Sequence, residues 1–343
     1  MKKVKDVGEF GLIDRLLPIM QPSAGDLLVG PGDDACAIRT VSGLASVLTT
    51  DMLVEDIHFR LDWQRPEELG WKAGAANLSD LAAMGASPRW LLVSLGCPPG
   101  TEVQIIEGIY RGLAALCRES GAGIAGGDTC RSDRLVLSIT ALGECEEDRV
   151  CTFDGAKAGE KVYATACPGL SGLGLKLLQR YGRNAVPDAY EESLAAHLRP
   201  SSPLKVAPLI SDFIRPRAMT DCSDGLARDL GKIAQASGVR IRIDLDQLSW
   251  HKDLVAARKD FGWDPVELAF HGGEDYCLLF TAAGDRLEQA KHQRPELKRL
   301  EYVELGSVEE GSPGLSVMQN GQVKEVESRG YDHFSGQEQD GAG

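Results

Sequence analysis

Aspartates in short glycine-rich or small-residue segments are the groups in this sequence whose type and spacing could do chemistry. Each of the five segments is predicted to lie at a strand end, in a glycine-rich turn or on a helix of small residues. They are Gly32-Asp33-Asp34, Thr49-Thr50-Asp51, Asn77-Leu78-Ser79-Asp80, Gly126-Gly127-Asp128 and Asp221-Cys222-Ser223-Asp224-Gly225. One such segment alone is most simply a turn aspartate or a helix N-cap. Five of them suggest a shared carboxylate site.

Asp80 is the hardest of these aspartates to explain as a turn or cap residue. It lies within a predicted helix that begins at Pro66 and is closed by Gly85, and its neighbours are mostly alanine, glycine and leucine. Part of this helix is therefore predicted to be buried. Burial of an unpaired carboxylate costs several kcal/mol, and no basic residue lies one helical turn away. A bound cation is the compensation that this pattern favours.

If the five segments converge, their seven carboxylates would repel each other unless cations or raised pKa values compensate. Oxygen ligands without a histidine or cysteine cluster select Mg²⁺ or Mn²⁺, and Mg²⁺ usually completes its coordination with waters and substrate phosphates. Glycines would let the backbone approach those phosphates, and Ser223 could cap a helix whose N–H groups face one of them. The residues alone thus indicate a metal–nucleotide site.

Two familiar nucleotide-binding motifs are absent from the sequence. No G-x-x-x-x-G-K-[ST] pattern occurs, so a Walker-type ATPase is excluded. The glycine-rich segment 169–174 follows a predicted strand, but its spacing is not G-x-G-x-x-G. It is predicted to be a tight entry into a helix.

Composition and charge exclude several other classes of protein. The 343 residues have 43% hydrophobic and 26% charged content, as is ordinary for a globular protein of about two domains. The net charge of −14 argues against nucleic-acid binding, and no apolar stretch is long enough to span a membrane. Nine scattered cysteines without a C-x-x-C pair, and no signal peptide, favour reduced thiols and a cytoplasmic location.

Alternating strand and helix patterns predict an α/β or α+β fold with two domains. The N-terminal domain is predicted to cover residues 1–148 and the C-terminal domain residues 149–334, with a disordered tail at 335–343. Strands are expected at 44–48, 90–95, 134–142, 161–166, 217–220, 239–244, 276–280, 302–308 and 315–318, and helices from Pro66 and over 102–120.

Eight segments, taken in order along the chain, resemble the thiamine-monophosphate kinase family. They are Gly8-Glu9-Phe10, Gly32–Ala35, Thr49–Asp51 with His58-Phe59, Asn77–Gly85, Gly126–Thr129, Asp221–Leu226, Gly272–Tyr276 and Gly330–Phe334. The Gly-Asp turns also occur in the wider aminoimidazole ribonucleotide synthetase superfamily. The Asn77–Gly85 helix and the Gly330–Phe334 ending narrow the resemblance to the kinases.

The resemblance implies an ATP-dependent enzyme that converts thiamine monophosphate to thiamine diphosphate. It implies an N-terminal mixed sheet that packs against a second subunit as a dimer sheet or barrel, with ATP nearby, and a C-terminal α/β domain that completes the site. The implied magnesium ligands lie among Asp34, Thr49, Thr50, Asp51, Asp80, Asp128, Asp221 and Asp224. Gly127, Asp128 and Ser223 would contact ATP, and His58, Glu274 and Tyr331 would bind thiamine phosphate. A requirement for K⁺ stays open.

This chemistry needs no proton carrier. The acceptor is a phosphate monoester whose second pKa is about 6, so its oxygen is already largely ionised near neutral pH. The difficulty is to bring two anions together, which bound metal ions would ease. The aspartates are therefore predicted to hold metal.

One departure from the family pattern concerns ATP. Phe153 stands where the family commonly has an arginine, so Arg149 or Arg131 would substitute for it, or metal would hold more of the nucleotide. Two alternatives stay open: another ATP-dependent enzyme of the superfamily, or a non-catalytic nucleotide- or metal-binding regulator.

Overall fold

A mixed six-stranded sheet forms the first half of the fold. The structure, a computed structural model, describes residues 26–30, 32–294 and 302–327, together with residues 11, 13 and 297. The sheet has the strand order β1-β2-β3-β6-β4-β5, with β4 and β5 parallel and the other pairs antiparallel. The strands are β1 (Leu27–Val29), β2 (Cys36–Val41), β3 (Leu44–Val54), β4 (Ser87–Cys97), β5 (Gly123–Arg131) and β6 (Val136–Glu146).

Two helices, α1 (Pro66–Ala83) and α2 (Val103–Ser120), pack against each other over one face of this sheet. Glycines let them approach closely: a Cβ atom on Gly112 would lie 1.9 Å from the carbonyl oxygen of Glu67. Helix α1 also contacts strands of the second sheet. It is therefore buried over most of its length, as its small residues predict.

A seven-stranded mixed sheet forms the second half, in the order β13-β12-β9-β11-β7-β10-β8, with β9 and β12 parallel. Its strands are β7 (Lys161–Ala164), β8 (Ala218–Asp221), β9 (Arg240–Asp244), β10 (Leu278–Ala282), β11 (Val303–Glu309), β12 (Gly314–Gln319) and β13 (Gln322–Val326). The helices of this half are α3 (Leu170–Tyr181), α4 (Glu191–Leu198), α5 (Ala207–Leu209), α6 (Leu226–Ser237), α7 (Lys252–Phe261), α8 (Pro265–His271) and α9 (Arg286–Gln293).

One hydrophobic core joins the two halves. Met219 of β8, and Leu278 and Phe280 of β10, pack into the same buried cluster as Leu78 and Leu81 of α1. This packing brings the end of β8 next to the end of α1. It is the contact that positions the candidate site.

The predicted α/β fold with two sheets is confirmed, and two local predictions are wrong. The strand predicted to stop at residue 48 continues to Val54, so Thr49-Thr50-Asp51 lies inside β3 and not at a strand end. Gly126-Gly127-Asp128 lies within strand β5 and not in a turn. Glycine has low strand propensity, but pairing with β4 overrides it. The tail at 335–343 lies outside the described residues.

Candidate functional site

Three aspartates meet where α1, β8 and the loop after β1 converge. One carboxylate oxygen from each of Asp34, Asp80 and Asp221 lies within 4.8 Å of the others. We call these three residues the acidic cluster. Asp221 is buried, and Asp34 and Asp80 are half-buried. Sequence positions nearly 190 residues apart thus form one group of hard oxygen donors.

Neighbouring hydroxyl groups orient the acidic cluster. Thr49 Oγ1 donates a hydrogen bond to Asp80 Oδ2 at 2.6 Å, and Ser79 Oγ donates one to Asp221 Oδ2 at 2.7 Å. Thr220 Oγ1 donates to Asp34 Oδ1 at 3.2 Å. The other oxygen of Asp34, Oδ2, is buried without a hydrogen-bond partner. One donor atom is thus free for a ligand.

Strand alternation decides which residues of β3 reach the acidic cluster. Successive side chains of a strand point to opposite faces, so Thr49 and Asp51 face α1 while Thr50 faces away. Thr50 Oγ1 instead donates to the carbonyl oxygen of Ile139 on the neighbouring strand β6 at 3.1 Å. The hydroxyl of Thr50, predicted as a metal ligand, is therefore not brought to the cluster.

Repulsion and burial set the charge state of the acidic cluster. Burial and the neighbouring carboxylates raise the pKa values of Asp34 and Asp80 well above their ordinary range. Burial raises the pKa of Asp51 to about 6, with a contribution from Asp224, and burial likewise raises the pKa of Asp221 to about 6. A divalent cation would relieve this repulsion, so the donor set and the unpartnered oxygen fit a site for Mg²⁺.

Asp224 lies beside the acidic cluster but has cations of its own. Its Oδ2 lies 3.2 Å from Arg228 Nε and 3.4 Å from Lys232 Nζ. Lys232 also contacts the buried Asp229 at 2.9 Å. Burial lowers the pKa of Lys232, but the carboxylates of Asp229 and Asp224 outweigh it and raise that pKa overall. The sequence reasoning missed Asp229 and Lys232, although their i, i+3 spacing on a helix predicts a pair.

Glu274 lies in an ion pair that the sequence reasoning also missed. Its Oε1 is 2.7 Å from Nζ of Lys72, a fully buried side chain of α1, and its Oε2 is 3.5 Å from His197 Nδ1. Burial raises the pKa of Glu274, but the charge and hydrogen bond of Lys72, together with the neighbouring His197 and His58, outweigh burial and lower the pKa overall. Burial lowers the pKa of His197 to about 3, so its ring is neutral at pH 7. The sequence did contain a sign of this pair, because a lysine within a buried, alanine-rich helix needs an acidic partner.

The backbone around Glu274 is strained. Glu274 and Tyr276 have positive φ angles of 57° and 49°, which side chains larger than glycine rarely adopt. The N–H of Glu274 donates to the carbonyl oxygen of Ser223 at 2.7 Å, and the N–H of Tyr276 donates to that of Cys222. These bonds tie the Glu274 turn to the segment that follows Asp221. Strained residues of this kind are common at binding sites.

Of the two other residues predicted to bind substrate, the structure describes His58 but not Tyr331. His58 follows β3, its Nδ1 accepts a hydrogen bond from the N–H of Val54 at 3.0 Å, and it is near enough to Glu274 to contribute to the lowered pKa of that carboxyl. His58 and Glu274 are therefore neighbours. Tyr331 lies outside the described residues.

Gly127 and Asp128 are not brought to the acidic cluster within one chain. Gly127 stands in the same row of the sheet as Asp51, separated by β6 and β4. Three strand spacings amount to about 14 Å. Asp128 is exposed on edge strand β5.

The structure places the three residues that the resemblance linked to ATP, Phe153, Arg149 and Arg131, in different surroundings. Phe153 is 7% exposed, and its N–H donates to Asp33 Oδ2 at 3.0 Å. Arg149 already contacts Glu146, Asp148 and Asp212 at 3.5–3.8 Å. Arg131 is exposed at the end of β5, three residues after Asp128.

The face of the first sheet opposite α1 carries large exposed apolar side chains. Met52 of β3 is 55% exposed, and Trp90 and Leu92 of β4 are 54% and 49% exposed. Residues of this size on one sheet face are typical of a surface covered by a partner.

Domain composition defines the class of protein. The model of the AIR synthase related protein N-terminal domain matches residues 32–145, and that of the C-terminal domain matches residues 157–317. Together these ranges cover well over half of the chain. The chain therefore belongs to the AIR synthase related proteins. No helix in the described ranges is long and apolar enough to cross a membrane.

Similar proteins narrow this class to one family. The chain is 34% identical to the thiamine-monophosphate kinase of Aquifex aeolicus (strain VF5), over 97% of this chain and 100% of that protein. It is 35% identical to the thiamine-monophosphate kinase of Bacillus subtilis (strain 168), over 95% and 99%. The chain thus belongs to the thiamine-monophosphate kinase family and is a kinase, which confirms the resemblance seen in the sequence.

Solved structures agree with this assignment. The structure described as AaThiL complexed with AMPPCP and TMP has a TM-score of 0.85 and 34% identity, covering 97% of this chain and 99% of that one. Escherichia coli HypE, at 18% identity and a TM-score of 0.65, covers 83% and 85% and shares the fold alone.

Proposed function

We propose that this kinase transfers the γ-phosphoryl group of ATP to the phosphate of thiamine monophosphate, producing thiamine diphosphate. The observation that carries the proposal is the likeness to AaThiL, which is complexed with AMPPCP, an ATP analogue, and TMP. The acidic cluster supports it, because two phosphate-bearing substrates need cations and the cluster has the oxygen donors to hold them.

Asp34, Asp80 and Asp221 would hold Mg²⁺, with Thr49, Asp51 and Asp224 as the other proposed ligands beside the cluster. When bound, Mg²⁺ would neutralise the repulsion between the phosphates of the two substrates. The aspartates act as fixed anions, since a phosphate monoester is already ionised and needs no general base. Gly127, Asp128 and Ser223 are proposed to contact ATP. A role for K⁺ stays a prediction.

His58, Glu274 and Tyr331 are proposed to bind thiamine monophosphate. A carboxylate can accept a hydrogen bond from the pyrimidine amine or face the thiazolium cation, and an aromatic ring attracts that cation by roughly 0.5–2 kcal/mol. Lys72 and the strained turn fix Glu274 in place before substrate arrives. His58 lies beside Glu274 and could donate to the phosphate.

The proposal includes a homodimer in which the exposed faces of two N-terminal sheets meet. Met52, Trp90 and Leu92 would lie in that interface. Sedimentation equilibrium tests this arrangement: Leu92→Glu should convert a dimer into a monomer, and Val255→Glu, at an exposed position on α7, should leave it unchanged. The division of the chain at 148/149 and the cytoplasmic location remain predictions, the latter supported by the free thiols.

A coupled assay of ADP release tests the reaction. With ATP and Mg²⁺, turnover should require thiamine monophosphate, while free thiamine and aminoimidazole precursors should give none. Turnover with an aminoimidazole precursor would assign the chain to another activity of the superfamily. ATP binding without any turnover, at varied Mg²⁺ and K⁺, would favour the regulator.

A further inference from the structure

A basic cleft on the second half of the molecule takes no part in the proposed reaction. Its volume is about 360 Å³, and its charged lining includes Lys157, Arg215, Arg217 and Arg286 around Glu160. Lys157 and Glu160 precede β7, Arg215 and Arg217 precede β8, and Arg286 is the first residue of α9. A cleft of this volume is within the size range of sites that hold small organic ligands.

Glu160 is the one carboxylate in the lining of the basic cleft, and it is buried. It is 5% exposed, and it accepts hydrogen bonds from the N–H of Lys157 and from Thr281 Oγ1, each at 3.0 Å. Its other oxygen lies 3.0 Å from Arg217 Nε. The Arg217 guanidinium is therefore held from one side, while its 53% exposed side chain leaves the other side open to a ligand.

The other three cations of the basic cleft have no ion-pair partner in the part of the chain that the structure describes. Among the described residues, Lys157, Arg215 and Arg286 form no ion pair, although the chain carries a net charge of −14. Four cations thus surround one carboxylate. Like charges gathered in one cleft attract a counter-ion, and the walls of the cleft focus that attraction.

Arg215 adopts an unusual backbone conformation at this place. Its φ angle is +53°, at the end of the helical turn Ile210–Ile214. Glycine or asparagine is the ordinary residue at a left-handed helix end. An arginine there is strained, and its side chain contributes to the cleft.

We propose that the basic cleft binds an anion that carries a diphosphate group. Guanidinium groups match phosphate oxygens in pairs, and Arg217 is already oriented by Glu160. Three unpaired cations match the charge of a diphosphate better than that of a single phosphate. The diphosphate could be inorganic pyrophosphate or the end of an organic diphosphate, which share this chemistry.

The basic cleft is distinct from the acidic cluster. Strand β8 runs from Ala218, next to Arg217, to Asp221, so the two sites are separated by about 13 Å along the strand. The acidic cluster would need a divalent cation to attract phosphates, whereas the basic cleft would not. Removal of metal therefore isolates binding at the cleft.

Isothermal titration of the full chain in EDTA tests the proposal. Pyrophosphate should bind, and inorganic phosphate should bind about tenfold more weakly. The double variant Arg215→Gly with Arg286→Gln should weaken pyrophosphate binding by at least about tenfold. The glycine also relieves the backbone strain, so this variant should fold and keep its kinase activity. The matched control, Arg258→Gln with Lys259→Gln on α7, removes the same charge elsewhere and should bind like the wild type.

ADP as a second titrant distinguishes the sources of the diphosphate. ADP affinity equal to that of pyrophosphate, with the same loss in the double variant, would support an organic diphosphate; weaker ADP binding would support the free ion. Absence of pyrophosphate binding up to about 10 mM, or equal binding by wild type and the double variant, would overturn the proposal. As an independent check, Lys157→Gln alone should weaken binding about threefold.

Discussion

Helix α1 carries two charged residues, the fully buried Lys72 and the half-buried Asp80, whose surroundings differ in charge. Lys72 and Asp80 lie about 12 Å apart along the helix axis. Lys72 meets Glu274 at 2.7 Å, and despite burial the pKa of Glu274 is lowered by this partner. Asp80 meets only other carboxylates and a hydroxyl, so burial and repulsion raise its pKa.

The difference shows which buried carboxylates the fold neutralises by itself. The Lys72–Glu274 pair completes its own charge balance, so it can hold a substrate-binding residue in place without a ligand. The acidic cluster has only the nearby Lys232 acting on Asp34 and Asp221 among the described residues, and the pKa values of both carboxyls stay raised, so full charge balance needs an external cation. Four experiments test this contrast, from the largest expected effect to the smallest.

Asp80→Asn should have the largest effect. It removes one charge of the acidic cluster but keeps the shape of the side chain, so kcat should fall by about 10³-fold while the protein stays folded. Steady-state kinetics and circular dichroism measure the two properties. Asp188→Asn, at an exposed position, is the matched control. Near-normal kcat in Asp80→Asn would remove the acidic cluster from the reaction.

Lys72→Met should destabilise the protein by about 2–3 kcal/mol, because Glu274 then lies mostly buried without its cation. Adding Glu274→Gln should restore most of that loss, as measured by urea unfolding. The Lys72–Glu274 pair also makes the stability of the wild type depend on pH, and the double variant should lack this dependence. Since the folded pKa of Glu274 is lowered from 4.5, the pair stabilises the wild type above pH 4.5, and this contribution is lost as the pH falls further. Equal stability of the single and double variants would contradict the pairing.

Mg²⁺ should raise the Tm of the wild type by about 5 °C relative to EDTA, since a cation relieves the repulsion within the acidic cluster. Differential scanning fluorimetry at matched ionic strength measures this shift. In Lys72→Met the shift should persist, and in Asp80→Asn it should shrink. An equal shift in Asp80→Asn would place the bound ion elsewhere.

Arg131→Ala should have the smallest effect, a threefold to fivefold rise in the KM for ATP, or about 1 kcal/mol. The comparison variant is Arg149→Ala, which breaks contacts with Glu146, Asp148 and Asp212 and should lower stability more than it changes this KM. Initial rates at varied ATP measure both. The opposite ranking of the two KM values would make Arg149 the substitute for the family arginine.

The sequence predicted the acidic cluster better than its surroundings. Asp80 was identifiable because an unpaired carboxylate among alanines is costly to bury, and that cost follows from local composition. Lys72, in the same helix, was missed because its partner Glu274 lies about 200 residues away along the chain. Strand β5 was likewise not predicted, because its glycines have low strand propensity. It forms because β4 supplies its hydrogen bonds.

Local pattern and motif order determined the α/β class, the helix that begins at Pro66 and the kinase family, because periodicity, capping and short motifs are carried by neighbouring residues. Only the tertiary structure decided that Thr49 faces Asp80 while Thr50 does not, that Asp128 stands three strands away, and that four cations line one cleft. Those relations depend on strand register and on contacts between distant segments, which no stretch of sequence specifies by itself.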